Sequence, residues 1–226
     1  MMPASIRFSP LIKEKISGLK LGILIGKNLN IRKYSDQVET RFNDLDNFIK
    51  NKFSAHPPSK DPIVSAVRRM YRRIGWEPTQ YRPSSEAMIR RFLKDKGLYR
   101  INNIVDLGNV ASTRFHLPMG LYDSSQIIGE VTIDVGKKGE TYQGISKEMI
   151  HAGGKLILRD QLGIFGNPTA DSSRTRIRDI TENIWAVFFL PPEIDTGWSN
   201  NTLGYLQSLY SQECPQATFK QMTVTE

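Results

Sequence analysis

One cysteine, Cys214, and three histidines, His56, His116 and His151, are all that this chain of 226 residues offers a soft metal. A single thiol excludes an internal disulfide framework, and a cysteine-built zinc site needs more thiolates than one. The histidines show no ligand spacing and no Gly-x-Ser-x-Gly elbow is present, so neither a metal, a cofactor nor a serine nucleophile is expected. Long apolar runs are missing too. Residues 21–25 around Gly22, and residues 184–190, fall far short of the roughly 20 residues a bilayer requires. The first thirty residues lack the basic, apolar and small-residue order of a secretory signal. A soluble protein in a reducing, cytoplasmic setting, with no membrane partner, is the expectation.

Positive charge is abundant. Lys and Arg number 31 against 23 Asp and Glu, a net +8, and the surplus is local. Residues 60–100 hold eleven basic side chains and four acidic ones, so nearly all the net charge lies in under a fifth of the chain. Asp61 followed by Pro62 is a capping residue before a first-turn proline, so a helix starts there. Ile63, Val67, Met70 and Ile74 recur on one buried stripe, which puts Arg68, Arg69, Arg72 and Arg73 on the other side. A second helix is predicted from about Pro83 to Glu86 onward, burying Met88, Ile89 and Phe92 and turning Arg90, Arg91 and Lys94 outward or sideways. Two readings fit. One is a solvated face that keeps the protein in solution. The other is a row of planar guanidinium forks suited to phosphate oxygens, with Tyr71, Trp76, Tyr81 and Tyr99 interleaved as packing or as base-stacking surfaces.

Residues 19–25 predict a short strand. Ser35 and Asp36 open a helix in which Val38, Phe42, Leu45 and Ile49 share a face, with Asp36 and Glu39 spaced as a capping pair. Residues 55–61 (AHPPSKD) read as a linker, because two prolines cannot continue a helix. A third helix spans residues 102–116 and stops before Pro118. Residues 130–135, 155–159 and 184–189 predict strands between glycine-rich turns, and 201–211 a closing helix. The polar tail, 214–226, is expected to fray. A strand, several helices and then mostly strands point to an α+β fold, helices packed on mixed or antiparallel sheets, as one domain over residues 1–226 whose N-terminal strand-helix part is 1–54.

The third helix carries two stripes. Ile104, Leu107, Ala111 and Phe115 are apolar. Asn102, Asp106, Asn109, Thr113 and His116 fall within an arc of about 80°. Gly108 sits between them, where glycine costs about 1 kcal/mol relative to alanine. These polar groups either tie the helix to neighbouring loops or form the wall of a small-molecule pocket. His116 is either a general base or a helix-terminal histidine favoured by the dipole.

The segments INNIVD (101–106), LGN (107–109), LPMGLYD (117–123) and GIFG (163–166), then Thr181-Glu182-Asn183-Ile184, come in an order that resembles the B3/B4 domain of the phenylalanyl-tRNA synthetase beta subunit. The similarity runs over about residues 60–192. It implies a freestanding version of that α+β domain, which in the synthetase houses an editing pocket that hydrolyses tRNA carrying the wrong amino acid; the aminoacylation core is absent. The family's V-V-D aspartate falls on Asp106, its T-N pair on Gly108 and Asn109, and its glycine wall on Gly163 and Gly166. With Asn103 and Thr113, these form the implied substrate pocket. The family's pocket histidine and glutamate fall on Gly120 and Val187. The resemblance gives that pair a role in recognising a tyrosine phenol, and here it is gone. Residues 167–180 form a longer stretch than the family's, with Arg174, Arg176 and Arg178 as an anion-contacting loop or a solvated turn.

Three functions stay open: an aminoacyl-tRNA deacylase acting in trans, with Asn109 and His116 as candidate catalytic groups; a non-catalytic RNA-binding module; and an amino-acid or metabolite binder. For the first two the partner is tRNA or aminoacyl-tRNA, held by Arg68, Arg69, Arg72, Arg73, Arg90, Arg91 and Lys94.

Overall fold

A computed structural model describes residues 5–146 and 148–226. In chain order the elements are β1 (Ile6–Phe8), α1 (Pro10–Lys15), β2 (Lys20–Lys27), α2 (Asp36–Lys52), α3 (Pro62–Arg73), α4 (Ser84–Phe92) and α5 (Asn103–Phe115). Then follow β3 (Met119–Asp123), β4 (Val131–Val135), β5 (Thr141–Gln143), β6 (Met149–His151), β7 (Leu156–Asp160), β8 (Gly163–Asn167), β9 (Ala170–Asp171), β10 (Ile184–Leu190), α6 (Thr196–Glu213) and β11 (Thr218–Thr225). The class is α+β, helices against antiparallel and mixed sheets.

One sheet has the order β11-β2-β10-β3, antiparallel throughout. The other runs β1-β4-β7-β8-β9, parallel only between β1 and β4. A hairpin, β5-β6, stands apart from both. Every residue of β10 is buried, as are the middle six of β2. A strand covered on both faces reads as a continuous apolar run rather than an alternation. Helix α5 packs on β3 and touches α2, α4 and α6. Among the described residues no helix is long and apolar enough to cross a membrane.

Local chemistry accounts for the helix ends. Asp61 Oδ1 accepts the Ile63 and Val64 N–H groups at 3.0 and 3.1 Å, fixing the start of α3. Its inward row is Val64, Val67, Met70 and Tyr71, with Ile63 and Ile74 at the margin. In α2 the capping position is Ser35, not Asp36, and its hydroxyl donates to Glu213 Oε2 instead of capping the helix. Helix α6 begins earlier than expected, where Asp195 Oδ1 accepts the Trp198 N–H at 2.7 Å. The tail expected to fray is a correction: residues 218–225 pair with β2 along its whole length, and Phe219 stacks on Tyr210. A free strand edge supplied by β2 outweighs the polarity of the segment, because each unpaired backbone group it offers finds a partner.

Candidate functional site

Four of the five polar-stripe residues on α5 are fully engaged inside the protein. Asn102 Oδ1 caps the helix by accepting the Val105 N–H at 2.9 Å. Asp106, 2% exposed, accepts the Ile101 N–H at 3.1 Å, and burial pushes its carboxyl up to about 6. Thr113 donates to the Asn109 carbonyl four residues back. His116 ends the helix at φ 59°, its ring Nδ1 3.0 Å from Asp61 Oδ1 and its face against Phe53. It is wholly buried, and it lines none of the cavities described below. Asn103, on the neighbouring face, accepts the Arg32 N–H and donates to Asn30 O and Glu213 Oε1, binding the loop after β2 to the end of α6. Asn103 and Asp106 border only a recess of about 40 Å³ shared with Tyr34 and Arg100.

The expected pocket is divided by β3. Side chains alternate along a strand, so Met119 and Leu121 share one face and Gly120 and Tyr122 the other. On the first face lies Gly108, where a Cβ would come within 2.7 Å of Met119 Cε and 3.0 Å of Tyr210 Oη; glycine is there to let α5 approach. On the second face Tyr122 folds back over Gly120 and runs against Gly166. A Cβ at Gly120 would collide with the phenol oxygen, and one at Gly166 would lie 2.7 Å from ring atom Cε1. Val187, paired with Gly120 across the sheet, is 1% exposed. Phe165 meets the Tyr122 ring edge-on, with centroids 4.9 Å apart. Tyr122 thus closes the space between Gly120 and Gly166. Gly120 and Gly166 pack against Tyr122 on the face away from Met119 and Leu121, and Gly163 begins β8 at φ 113° with open space beside it.

A concavity does lie on the first face. It measures about 120 Å³ and is lined by Ile101, Val105 and Asn109, by Met119 and Leu121 of β3, by Ile145 in the β5-β6 turn, and by Asp171, Arg176 and Ile177. Larger hollows of about 250 Å³ beside Asp46 and Asp95, and about 330 Å³ along β2 and β11, contain none of the expected site residues. Asp171 is the group that sequence reasoning missed. One of its oxygens accepts the Leu121 N–H at 3.1 Å, and burial pushes its carboxyl up to about 7 despite that bond. The Tyr122 hydroxyl lies near it without a hydrogen bond of ordinary geometry. The only signal was the length of the 167–180 stretch, in which attention fell on the arginines. Arg174 is spent on Asp160 in a two-pronged pair at 2.8 and 3.0 Å, and Arg178 leans toward Asp123. Arg176 alone of the three reaches the cleft.

The basic face is less free than expected. Glu86 is wholly buried in α4 and holds Arg68 at 2.8 Å and Arg90 at 2.8 Å, with Arg82 at 3.8 Å. Glu193 takes both Arg69 and Arg73. Arg91 donates to the Gly97 carbonyl and lies over Tyr99. Two or three guanidiniums share each carboxylate, so both clusters keep net positive charge while their geometry is fixed. Arg72 and Lys94 are exposed, and neither has an ion-pair partner among the described residues. Of the four aromatics, Tyr71 and Trp76 stack on each other in the core, while Tyr81 and Tyr99 are exposed.

The B3/4 domain family model matches residues 66–204. Over 208 residues the chain is 18% identical to the uncharacterized protein YhzB of Bacillus subtilis (strain 168), covering 92% of this chain and 94% of that one. Over 115 residues it is 30% identical to the phenylalanine–tRNA ligase beta subunit of Fusobacterium nucleatum subsp. nucleatum, covering 49% of this chain but 14% of that subunit. Among solved structures, an N-terminal fragment of the phenylalanyl-tRNA synthetase beta subunit from Pyrococcus horikoshii covers 98% of this chain and 54% of its own, with 10% identity and a TM-score of 0.45. The family match takes in well over half of the residues and every segment on which the resemblance was built from Ile101 to Ile184, and on that ground the chain belongs to the B3/4 domain family.

Proposed function

We propose that this protein binds tRNA in the cytoplasm and hydrolyses aminoacyl-tRNA esters in trans. Membership of the B3/4 family and the similarity to a phenylalanine–tRNA ligase beta subunit direct the reading to tRNA. The observation that carries the chemistry is the cleft in which Asp171, pushed up to about 7, and Asn109 border an apolar recess. A base works best when its pKa lies near the working pH. Water held by the Asn109 amide attacks the acyl carbon as Asp171 takes its proton, and the ester C–O bond breaks as Asp171 returns that proton to the leaving ribose oxygen. Arg72, Lys94 and Arg176 supply exposed cations for phosphates. The test is a panel of mischarged tRNAs. Hydrolysis is expected to rise with pH to a plateau above about 7, because the base acts deprotonated, and Asp171→Asn is expected to slow it by about 100-fold or more with tRNA binding unchanged. A panel left as intact as in buffer overturns the hydrolytic reading.

A second reading, tRNA binding without cleavage, is favoured by the Tyr122 ring in the gap between Gly120 and Gly166 and by the engagement of His116 with Asp61. It expects salt-sensitive tRNA binding, with no ester cleavage by the wild type at any pH.

A further inference from the structure

We infer that the cleft beside α5 admits an acyl group with a short, branched aliphatic side chain and rejects one that carries a phenol. This rests on the reading of the cleft as an aminoacyl-ester site and names the class of ester. Its walls are six aliphatic side chains, Ile101, Val105, Met119, Leu121, Ile145 and Ile177. Its polar groups are Asn109, Asp171 and Arg176, which the ester, the water and the nucleotide occupy. Nothing polar is left among the lining residues for a distal hydroxyl.

Size decides the rest. An enclosed apolar cavity of about 150 Å³ takes a benzene ring. The cleft offers about 120 Å³, smaller than that, a size that suits three or four carbons better than a phenol. The other face of β3 offers no alternative room, because Tyr122, itself 0% exposed, fills it. A charged or amide side chain would lose its water without a partner. Threonine, which differs from valine by a hydroxyl in place of a methyl, is rejected only about 100-fold at best by such a wall.

The experiment uses the full chain and non-hydrolysable 3′-aminoacylamido-adenosine analogues bearing valyl, tyrosyl or aspartyl groups, with binding read by calorimetry and hydrolysis of the matching tRNA esters read alongside. The valyl analogue is expected to bind about 10- to 100-fold tighter than the other two. Ile145 is half exposed, so Ile145→Asp spares the fold; it is expected to weaken the valyl analogue about tenfold while leaving tRNA affinity as it was. Tyrosyl binding equal to or tighter than valyl overturns the inference, as does an Ile145→Asp protein that binds the valyl analogue like the wild type. Preferential cleavage of tyrosyl ester leaves the hydrolase reading standing and removes this one. Tight valyl binding with no cleavage of any ester does the reverse.

Discussion

The two faces of β3 carry alternate residues of one five-residue strand and have opposite fates. Gly120 and Tyr122 turn to a face packed shut, where the phenol fills the groove between two glycines. Met119 and Leu121 turn to a face that stays open as the cleft with Asn109 and Asp171. A pocket is therefore a property of the side chains that a strand sends each way: glycines on the shut face make room for a ring, and the ring closes it. Interiors are close-packed and tolerate few voids.

Removing the ring is the harshest way to break this contrast. Tyr122→Ala is expected to lose about 3–5 kcal/mol in urea unfolding, as other aromatic truncations do, and to open a dry hole on the shut face. Phenol added to that variant is expected to raise its Tm while leaving the wild type unchanged. An unaltered urea midpoint would mean that the ring is not packed as described.

Next in size is a comparison of carboxylates. Asp106 sits in packing, raised to about 6 from an ordinary 3.8. The native state therefore holds a proton that the unfolded chain has already released between those pH values. The contribution of Asp106 to stability is present below pH 4 and lost as pH rises through 6. The difference between wild type and Asp106→Asn is expected to change by about 2–3 kcal/mol between pH 4 and pH 7, with the wild type losing ground as pH rises. A difference that stays constant with pH would sink the assignment.

Gly166→Ala brings a methyl group against the Tyr122 ring, and strain of about 1–3 kcal/mol is expected from overpacking. The matching change on the open side, Asn109→Ala, adds nothing to a packed face and is expected to cost less. Smallest of all is Tyr122→Phe. The hydroxyl it deletes is buried without a partner among the described residues, so the change is expected to fall within about 1 kcal/mol of the wild type and to lean toward greater stability.

Much of this frame was legible in the residues. Asp61-Pro62 marked the start of α3, Pro118 the end of α5, and the apolar runs the central strands, because caps, prolines and buried strands act through near neighbours. The polar stripe was legible as a stripe but not as a choice between its two readings. That choice turned on groups far along the chain: Glu213 for Asn103 and Asp61 for His116. Arg68 and Arg90 looked free because nothing local shows that Glu86 faces inward between them. Asp171 and the Tyr122 ring were hidden for the same reason, since the register of β8 on β9 and the fold of β3 bring them together. The strand at residues 218–225 was missed because its alternation is weak and its partner lies at the opposite end of the sequence.

That partner has a bearing on how the chain comes to be made. Strand β2 emerges early in synthesis but pairs with β10 on one side and β11 on the other. Its run of isoleucines and leucines must wait, exposed, until residues 184–190 and 218–225 have been made. Long-range pairing of this kind slows folding and lengthens the interval in which a sticky edge can find the wrong neighbour. Helix α2, whose backbone hydrogen bonds all lie within a single stretch of sequence, is the sort of element that can form in the meantime.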